Sequence, residues 1–307
     1  MQVVKILGAA VTLLLVPHFA GQALAQAWLQ TVDGYYFKMS GSFLSSDEAF
    51  NFRGDRTPVF EDSTKTNTSF RDISFSAYLE YGVTDYLTLV ASVPFKIVSS
   101  KETSMGIRNE LTNGGLGDLF IAARTPILKK PAVSVQAGVK LPLGYEQNPD
   151  NGGPPLGTGE VDAEVQLLYG QSLWPIPAYV SAGAGYRFRG GSGARDLATV
   201  GAIGGLNDEI FYHLEAGYTA GQLFLKLRLD ALLNTEDPPN LSPEARTSTS
   251  GLPIEVVAGD QDIVKLTPGI TYTVGENVAL NAELFHTLSG KNTVTGTAIS
   301  LGVVYTR

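Results

Sequence analysis

SFRDISFSAYLEYGVTDYLTLVASVPFKIVS, residues 69–99, is the stretch that decides the fold of this 307-residue chain. In both halves every second residue is apolar, and mostly polar residues stand between them. The halves are joined by a short turn, Gly82-Val83-Thr84-Asp85. Period-two alternation on both sides of a short turn predicts a β-hairpin with one apolar and one polar face. Each arm, at about a dozen residues, is long enough to cross a bilayer at a tilt, which takes ~9–11 residues.

The same alternation recurs along the chain and predicts about twelve strands. They are 34–44, 69–82, 86–98, 117–128, 132–143, 161–172, 178–189, 209–218, 222–234, 263–274, 277–287 and 297–306. The connections alternate strictly between long and short, and the longer ones are 45–68, 99–116, 144–160, 190–208, 235–262 and 288–296. Short turns at one end and longer loops at the other are typical of outer-membrane barrels. The sequence therefore predicts an all-β fold, a closed antiparallel transmembrane β-barrel.

The first twenty-five residues have the features of a secretory signal peptide. Lys5 is their only charged residue, 6–16 is an apolar run, and Ala23-Leu24-Ala25 is a small-x-small cleavage site. A membrane anchor would need ~20 apolar residues, about twice as many as this run offers. We therefore expect residues 1–25 to be removed and 26–307 to form the barrel in the outer membrane of a Gram-negative bacterium. Membrane lipids and the barrel-assembly machinery are its expected partners.

Composition excludes several classes of function. The formal net charge of −8 argues against nucleic-acid binding, which needs a basic surface. The chain has no cysteine and only three histidines, so thiol catalysis is unavailable and a multi-histidine metal centre is not expected. We expect no cofactor, no metal and no enzymatic activity.

Strand parity assigns one face of the barrel to charged residues. A soluble sandwich could not bury so many charges, because each unpaired one costs several kcal/mol, whereas a hydrated lumen can hold them. Over the whole face, eight acidic residues stand against nine basic ones, and this near balance predicts cross-strand ion pairs. His213 and Glu215 are neighbours on this face. They either form a hydrogen bond within the wall or act as a proton-linked or ligand-contacting pair. The candidate lumen-facing residues are Lys96, Asp118, Arg124, Lys140, Glu164, Arg187, His213, Glu215, Lys226, Arg228, Lys265 and Glu283.

Aromatic residues recur on the other face, at the two ends of the strands. Those near the short turns are Tyr81, Tyr169, Tyr218, Tyr272 and Tyr305, and those toward the longer loops are Phe95, Tyr186 and Phe188. Aromatic girdles at both interfaces are typical of membrane barrels. This face is therefore predicted to contact lipid.

Several motifs together resemble a known family. They are Leu79-Glu80-Tyr81-Gly82-Val83-Thr84-Asp85, Val93-Pro94-Phe95, Gly115-Leu116-Gly117-Asp118, Leu141-Pro142-Leu143-Gly144 and Ala184-Gly185-Tyr186-Arg187-Phe188. With these motifs, the chain from about residue 70 onward resembles the MetA-pathway phenol-degradation family of outer-membrane transporter-like proteins. The resemblance implies a twelve-stranded barrel that passes small compounds, aromatic or hydrophobic ones among them. It supplies no binding residues.

The expected function is passive uptake or efflux of small compounds. One alternative is a sealed structural or surface-interaction barrel. Another is a lipid-active enzyme, for which His286 beside Thr287 and Ser289 is the candidate group, although Ser289 has the opposite parity to His286. The longest connection, 235–262, either folds inward as a charged constriction or stands out from the cell surface.

Overall fold

The computed structural model describes residues 27–59, 65–145, 153–190, 207–235 and 261–307. The predicted signal peptide and most of the 235–262 connection lie outside these ranges. Among the described residues no helix is long and apolar enough to span a membrane. Sixteen β-strands are present. In chain order they are β1 Tyr35–Ser46, β2 Glu48–Phe50, β3 Arg56–Pro58, β4 Lys65–Thr84, β5 Leu87–Ser104, β6 Ile107–Leu116, β7 Asp118–Lys129, β8 Ala132–Pro142, β9 Asp162–Ser172, β10 Ala178–Phe188, β11 Glu209–Ala220, β12 Leu223–Asn234, β13 Asp262–Thr273, β14 Val278–Lys291, β15 Thr293–Val294 and β16 Thr297–Thr306.

The strands close into an antiparallel barrel. Strand β1 pairs with β4 on one side, with Tyr36 opposite Glu80, and with β16 on the other, with Tyr36 opposite Thr306. Sequence neighbours pair around the rest of the ring, from β4 through β14 to β16. Strands β6 and β7 both pair with β5 and occupy one strand position in the ring. They are separated only by Gly117, whose N–H donates to the Pro94 carbonyl at 2.8 Å. Counted this way the ring has twelve strands, which confirms the predicted architecture.

One predicted loop proves to be sheet. We expected 99–116 to be a long connection, but β5 continues to Ser104, and β6 pairs with it from Ile107 onward, with Lys101 opposite Glu110. The prediction was wrong because this part of the hairpin carries polar residues on both faces, so it lacks the apolar alternation of the membrane-spanning part. Residues 45–68 likewise hold β2, β3 and the start of β4. Strands β2 and β3 form a three-stranded sheet with β15.

The five short connections lie where the sequence placed them. They join β4 to β5, β7 to β8, β9 to β10, β11 to β12 and β13 to β14. All five therefore lie at one end of the barrel, which we call the short-turn end. The opposite, long-loop end carries β2, β3, β15 and residues 153–160.

The outer face of the barrel is a continuous apolar belt. Leu301 is 64% exposed and lies opposite Ala282, and Leu214 is 56% exposed and lies opposite Leu229. The five girdle tyrosines predicted near the short turns are all exposed on this face. A soluble monomer rarely exposes apolar surface of this extent, so the belt fits contact with lipid acyl chains.

Candidate functional site: the lumen

The inner wall carries the alternate residues of the same strands, and many of these are charged. Side chains from β7 to β11 form one connected set of ion pairs. Lys140 Nζ lies 3.3 Å from Asp118 and 2.5 Å from Asp162. Asp162 lies 3.3 Å from Arg189, which also pairs with Glu209. We call this set, with Arg187 and Glu164, the long-loop network, because its strands meet near the long-loop end.

Arg187 connects Glu164 to the rest of the long-loop network through Glu209. Its guanidinium lies 2.9 Å from Glu164 and 2.7 Å from Glu209, on the strands to either side. Five strands are thereby cross-linked by charged side chains. A buried charge is costly unless it is paired, so each member of the network depends on its neighbours.

A second group of ion pairs lies on the opposite part of the wall. Glu283 on β14 accepts from Lys38 at 2.8 Å and lies 2.5 Å from Lys226. Arg228 on β12 lies 2.7 Å from Asp230 and 3.7 Å from Glu215. Lys96 lies 3.5 Å from Asp72, and these two side chains are more exposed. The balanced charge of the inner face is therefore realised as ion pairs.

Lys265 differs from the other basic groups of this region. Asp230 faces it across the β12–β13 ladder. Within the described ranges, however, no carboxylate oxygen lies within 4.0 Å of its Nζ atom. The ammonium group is aimed at the interior, where it lines the cavity described next. An anionic solute in the cavity would therefore meet this ammonium group.

The lumen contains a cavity of about 620 Å³. Its walls combine charged groups with aromatic rings, and the rings are Tyr36, Tyr78, Phe120, Tyr179, Phe211, Phe224 and Phe285. Two of them, Tyr179 and Phe224, are stacked with centroids 6.0 Å apart. A cavity of this size matches a small ligand, and its lining offers both apolar and ionic contacts.

The twelve candidate residues predicted from parity divide by position. The cavity is lined by Arg124, Arg187, His213, Glu215, Lys226, Arg228, Lys265 and Glu283. Lys140, Asp118 and Glu164 belong to the long-loop network, and Lys96 to its own pair. His213 and Glu215 both line the cavity from β11, and each has a further contact of its own. Glu215 accepts from the Tyr179 hydroxyl, whereas the His213 ring packs against Gly183 on the neighbouring strand.

Residues 153–160 pack against the wall at the long-loop end. Asn113 donates to the Pro154 carbonyl at 2.8 Å, and Lys140 donates to Thr158 at 3.0 Å. Leu156 is buried, in contact with the face of Gly115 and Gly117. This segment therefore narrows the lumen at that end, a role the sequence suggested for 235–262 instead, of which 236–260 lies outside the described residues.

Tyr145 anchors the same segment. Its hydroxyl donates to Asp118 and accepts the N–H of Gly159 at 2.7 Å. Burial, with the hydrogen bond to Asp118, raises the pKa of the Tyr145 hydroxyl. The hydroxyl consequently stays protonated and can keep donating to the carboxylate.

Sequence analysis did not predict that residues 27–34 enter the lumen at the short-turn end. Its Gln30 side chain donates to Glu80 at 2.9 Å, and the Gln30 backbone N–H donates to the Thr88 hydroxyl at 2.9 Å. The Trp28 carbonyl accepts from Arg124 at 3.2 Å. The segment has no hydrophobic period to detect. Two glycines of the wall make room for it, since a Cβ atom at Gly82 would collide with Thr31 and one at Gly170 with the Trp28 ring. Neither glycine indicates such a segment without the structure.

His286, the candidate group for a lipid-active enzyme, lies near the end of β14. Its ring is hydrogen-bonded to the Thr297 hydroxyl at 2.8 Å, across the β14–β16 ladder. The imidazole therefore takes part in a hydrogen bond between two strands of the wall.

Comparisons with known proteins identify the fold. No protein-family model matches the chain, and no curated protein matches it in sequence. Among solved structures, the COG4313 outer membrane channel from Pseudomonas putida F1 superposes with a TM-score of 0.62 at 14% identity, over 90% of this chain and 96% of the other. The transport unit of the autotransporter AIDA-I from Escherichia coli superposes with a TM-score of 0.50 at 10% identity, over 89% and 90%. The closed twelve-stranded ring, its apolar belt and these likenesses show the fold of a Gram-negative outer-membrane β-barrel.

Proposed function

We propose that this chain is a passive outer-membrane channel for small amphipathic compounds, aromatic ones among them. The observation that carries the proposal is the lumen cavity, in which aromatic rings and ion pairs line one space inside a closed, lipid-facing wall. A solute with an apolar ring and a polar group would find partners for both. Diffusion through such a space needs no energy source.

Two further observations support a channel. The barrel has twelve strands, so its interior lies between that of a side-chain-filled eight-stranded barrel and the wide pore of a sixteen-stranded porin. One structural neighbour is itself an outer membrane channel. The resemblance to the MetA-pathway phenol-degradation family supports aromatic compounds as the solute class.

The proposal includes the route of the chain to the membrane. Residues 1–25 would act as an export signal that is removed. The barrel-assembly machinery would then insert the barrel, with outer-membrane lipids around its apolar belt. The short-turn end would face the periplasm, as in other outer-membrane barrels.

Purified protein in planar bilayers and liposomes tests this function. Defined conductance steps, with faster flux of benzoate or phenol than of a sugar of similar size, are the expected result. The decisive measurement in cells is the growth of a knockout strain on aromatic and aliphatic carbon sources. A folded barrel that passes neither ions nor solutes, together with unchanged growth of the knockout strain on every carbon source, would instead indicate the sealed structural or surface-interaction protein.

A further inference from the structure

Residues 27–34 lie inside the lumen at the short-turn end and follow the inner wall past β4, β5, β7, β8 and β9. They begin next to β8, β9 and β10, where Ala27 packs with Ala132 and Leu168. They end at β1, where the Tyr35 N–H donates to the Arg307 carbonyl at 3.0 Å. In the ring of twelve, β10 is the strand directly opposite β1.

The segment takes up part of the width of the lumen. Twelve strands spaced ~4.8 Å apart and tilted by ~40° give a barrel about 24 Å across. The segment is not extended, because the Gly34 N–H donates to the Thr31 carbonyl at 2.9 Å in a turn. Together with the side chains of the wall it therefore narrows the lumen at this end.

The far end of the segment is held by an aromatic contact. The Trp28 ring meets Tyr179 edge-on with centroids 5.7 Å apart, and Tyr179 is stacked on Phe224. A Cβ atom at position 170 would lie 2.6 Å from the Trp28 ring, so glycine at this position makes room for the indole. Trp28 thus extends an aromatic layer from β9 and β10 toward β12.

The middle of the segment is held by the Arg124–Glu80 pair and by Thr88. Arg124 and Glu80 bind each other at 2.9 Å while Arg124 holds the Trp28 carbonyl and Glu80 holds the Gln30 amide. Charge-assisted hydrogen bonds of this kind are stronger than neutral ones. All of these contacts are non-covalent, because the chain has no cysteine.

The barrel wall does not depend on residues 27–32. The ladders that close the ring run from Tyr35 to β4 and from Tyr36 to β16, and both begin after residue 34. Residues 33 and 34 also bond to β4, since the Asp33 N–H donates to the Gly82 carbonyl and the Gly82 N–H donates to the Gly34 carbonyl, both at 2.9 Å. Strand pairing therefore stays complete if residues 27–32 leave. Glu80 and Arg124 also keep each other as partners.

We propose that residues 27–34 are an internal plug that narrows the lumen at its short-turn end, and that displacement of residues 27–32 widens the path of a solute. Arg124, Leu168 and Tyr179, which contact the segment, also line the cavity, so the segment lies beside the space that a solute would enter. The plug rests on the proposed channel function, since only a channel has a path to narrow.

A reversible covalent lock tests the plug. The Thr88 hydroxyl lies 2.9 Å from the Gln30 backbone nitrogen, so cysteines at these two positions are close enough to pair without displacing the segment. The test protein is Gln30→Cys/Thr88→Cys in the full chain, which is otherwise free of cysteine. The single variants Gln30→Cys and Thr88→Cys, treated with the same oxidant, are the matched controls. A third variant lacks residues 27–31 and keeps the export signal.

Single-channel conductance and liposome flux are measured for each protein, and heat-modifiable gel mobility reports whether the barrel is folded. We expect the deletion to raise conductance several-fold over the unaltered protein. Oxidation of the double variant should reduce conductance and flux, reductant should restore both, and the single variants should not respond. An unaltered protein that conducts as well as the folded deletion variant, with no effect of the lock, overturns the plug alone. Folded barrels that never conduct, including the deletion variant, overturn the proposed function and the plug with it.

Discussion

Arg124 and Glu80 form an ion pair of 2.9 Å in which the two side chains are only 3% and 0% exposed. Glu80 also accepts hydrogen bonds from Gln30 and from the Tyr78 hydroxyl, at 2.9 and 2.5 Å. Arg124 donates to Gln136 at 3.0 Å as well. The pair thus joins β4, β7 and β8 to the N-terminal segment. Because both charges are buried, each depends on the other and on these hydrogen bonds for its stability.

Arg124→Met should destabilise the barrel strongly. Removing one partner of a buried pair leaves the other charge uncompensated, which costs about 3–5 kcal/mol of the free energy of unfolding. The double variant Arg124→Met/Glu80→Gln should recover most of that loss, because no lone charge remains. Lys96→Met is the matched control. It breaks the more exposed pair with Asp72, for which a loss of about 1 kcal/mol or less is expected. Urea titration in detergent micelles measures all four proteins, and equal losses for Arg124→Met and Lys96→Met would contradict the argument.

Lys265→Gln should shift ion selectivity toward cations. The Lys265 ammonium lines the cavity without a carboxylate within 4.0 Å among the described residues, so it attracts passing anions. A unit charge about 4 Å from an ion in water contributes about 1 kcal/mol, so the anion-to-cation permeability ratio should fall by a factor of about 2–5. The reversal potential in a potassium chloride gradient measures it. Lys130→Gln, in the β7–β8 turn, is the control, and a Lys265→Gln channel with the same reversal potential as this control would refute the role of Lys265.

The sequence predicted the wall well because strand parity and burial obey the same period of two. Residues such as Lys140 and Asp162 share one face by parity, and the antiparallel register places them opposite each other. Their ion pair follows from these two facts. Lys226 on β12 pairs with Glu283 on β14, two strands away. A pair of this kind cannot be assigned from strand parity, because it depends on the register of both intervening ladders.

Two features were beyond this kind of reasoning. Residues 99–116 extend the β5–β6 ladder outside the apolar belt, where neither face is buried and no alternation is required. Residues 27–34 have no regular secondary structure, and single hydrogen bonds and one ring contact hold them. Such contacts depend on the closed shape of the lumen, which a local pattern does not contain.

Leu214→Arg should destabilise the barrel through its outer face. Leu214 lies midway along β11 and is exposed on the apolar belt, so a cation there would face the acyl chains. Arginine on a lipid-facing midplane position costs about 2–4 kcal/mol, and the cost falls to about 0–1 kcal/mol near the interfaces. Ile176→Arg is the control, because Ile176 is equally exposed, at 56%, but lies in the β9–β10 turn. Unfolding in lipid vesicles should separate the two variants, and a similar cost for both would place Leu214 outside the membrane core.

Tyr145→Phe should loosen residues 153–160 and leave the barrel intact. The substitution removes one donor to Asp118, which keeps its pair with Lys140, and it leaves the part-buried Gly159 N–H without its acceptor. The loss of these two hydrogen bonds costs about 1–3 kcal/mol. If that cost appears as local opening, amide exchange in 153–160 should quicken roughly tenfold to hundredfold while the strands keep their protection. Tyr86→Phe is the control, because Tyr86 is 65% exposed in a short turn at the other end of the barrel. Hydrogen–deuterium exchange read by mass spectrometry resolves the segment. Unchanged exchange there would mean that Asn113, Lys140 and the buried Leu156 hold it without Tyr145, and the long-loop end would then be narrowed by side-chain packing alone.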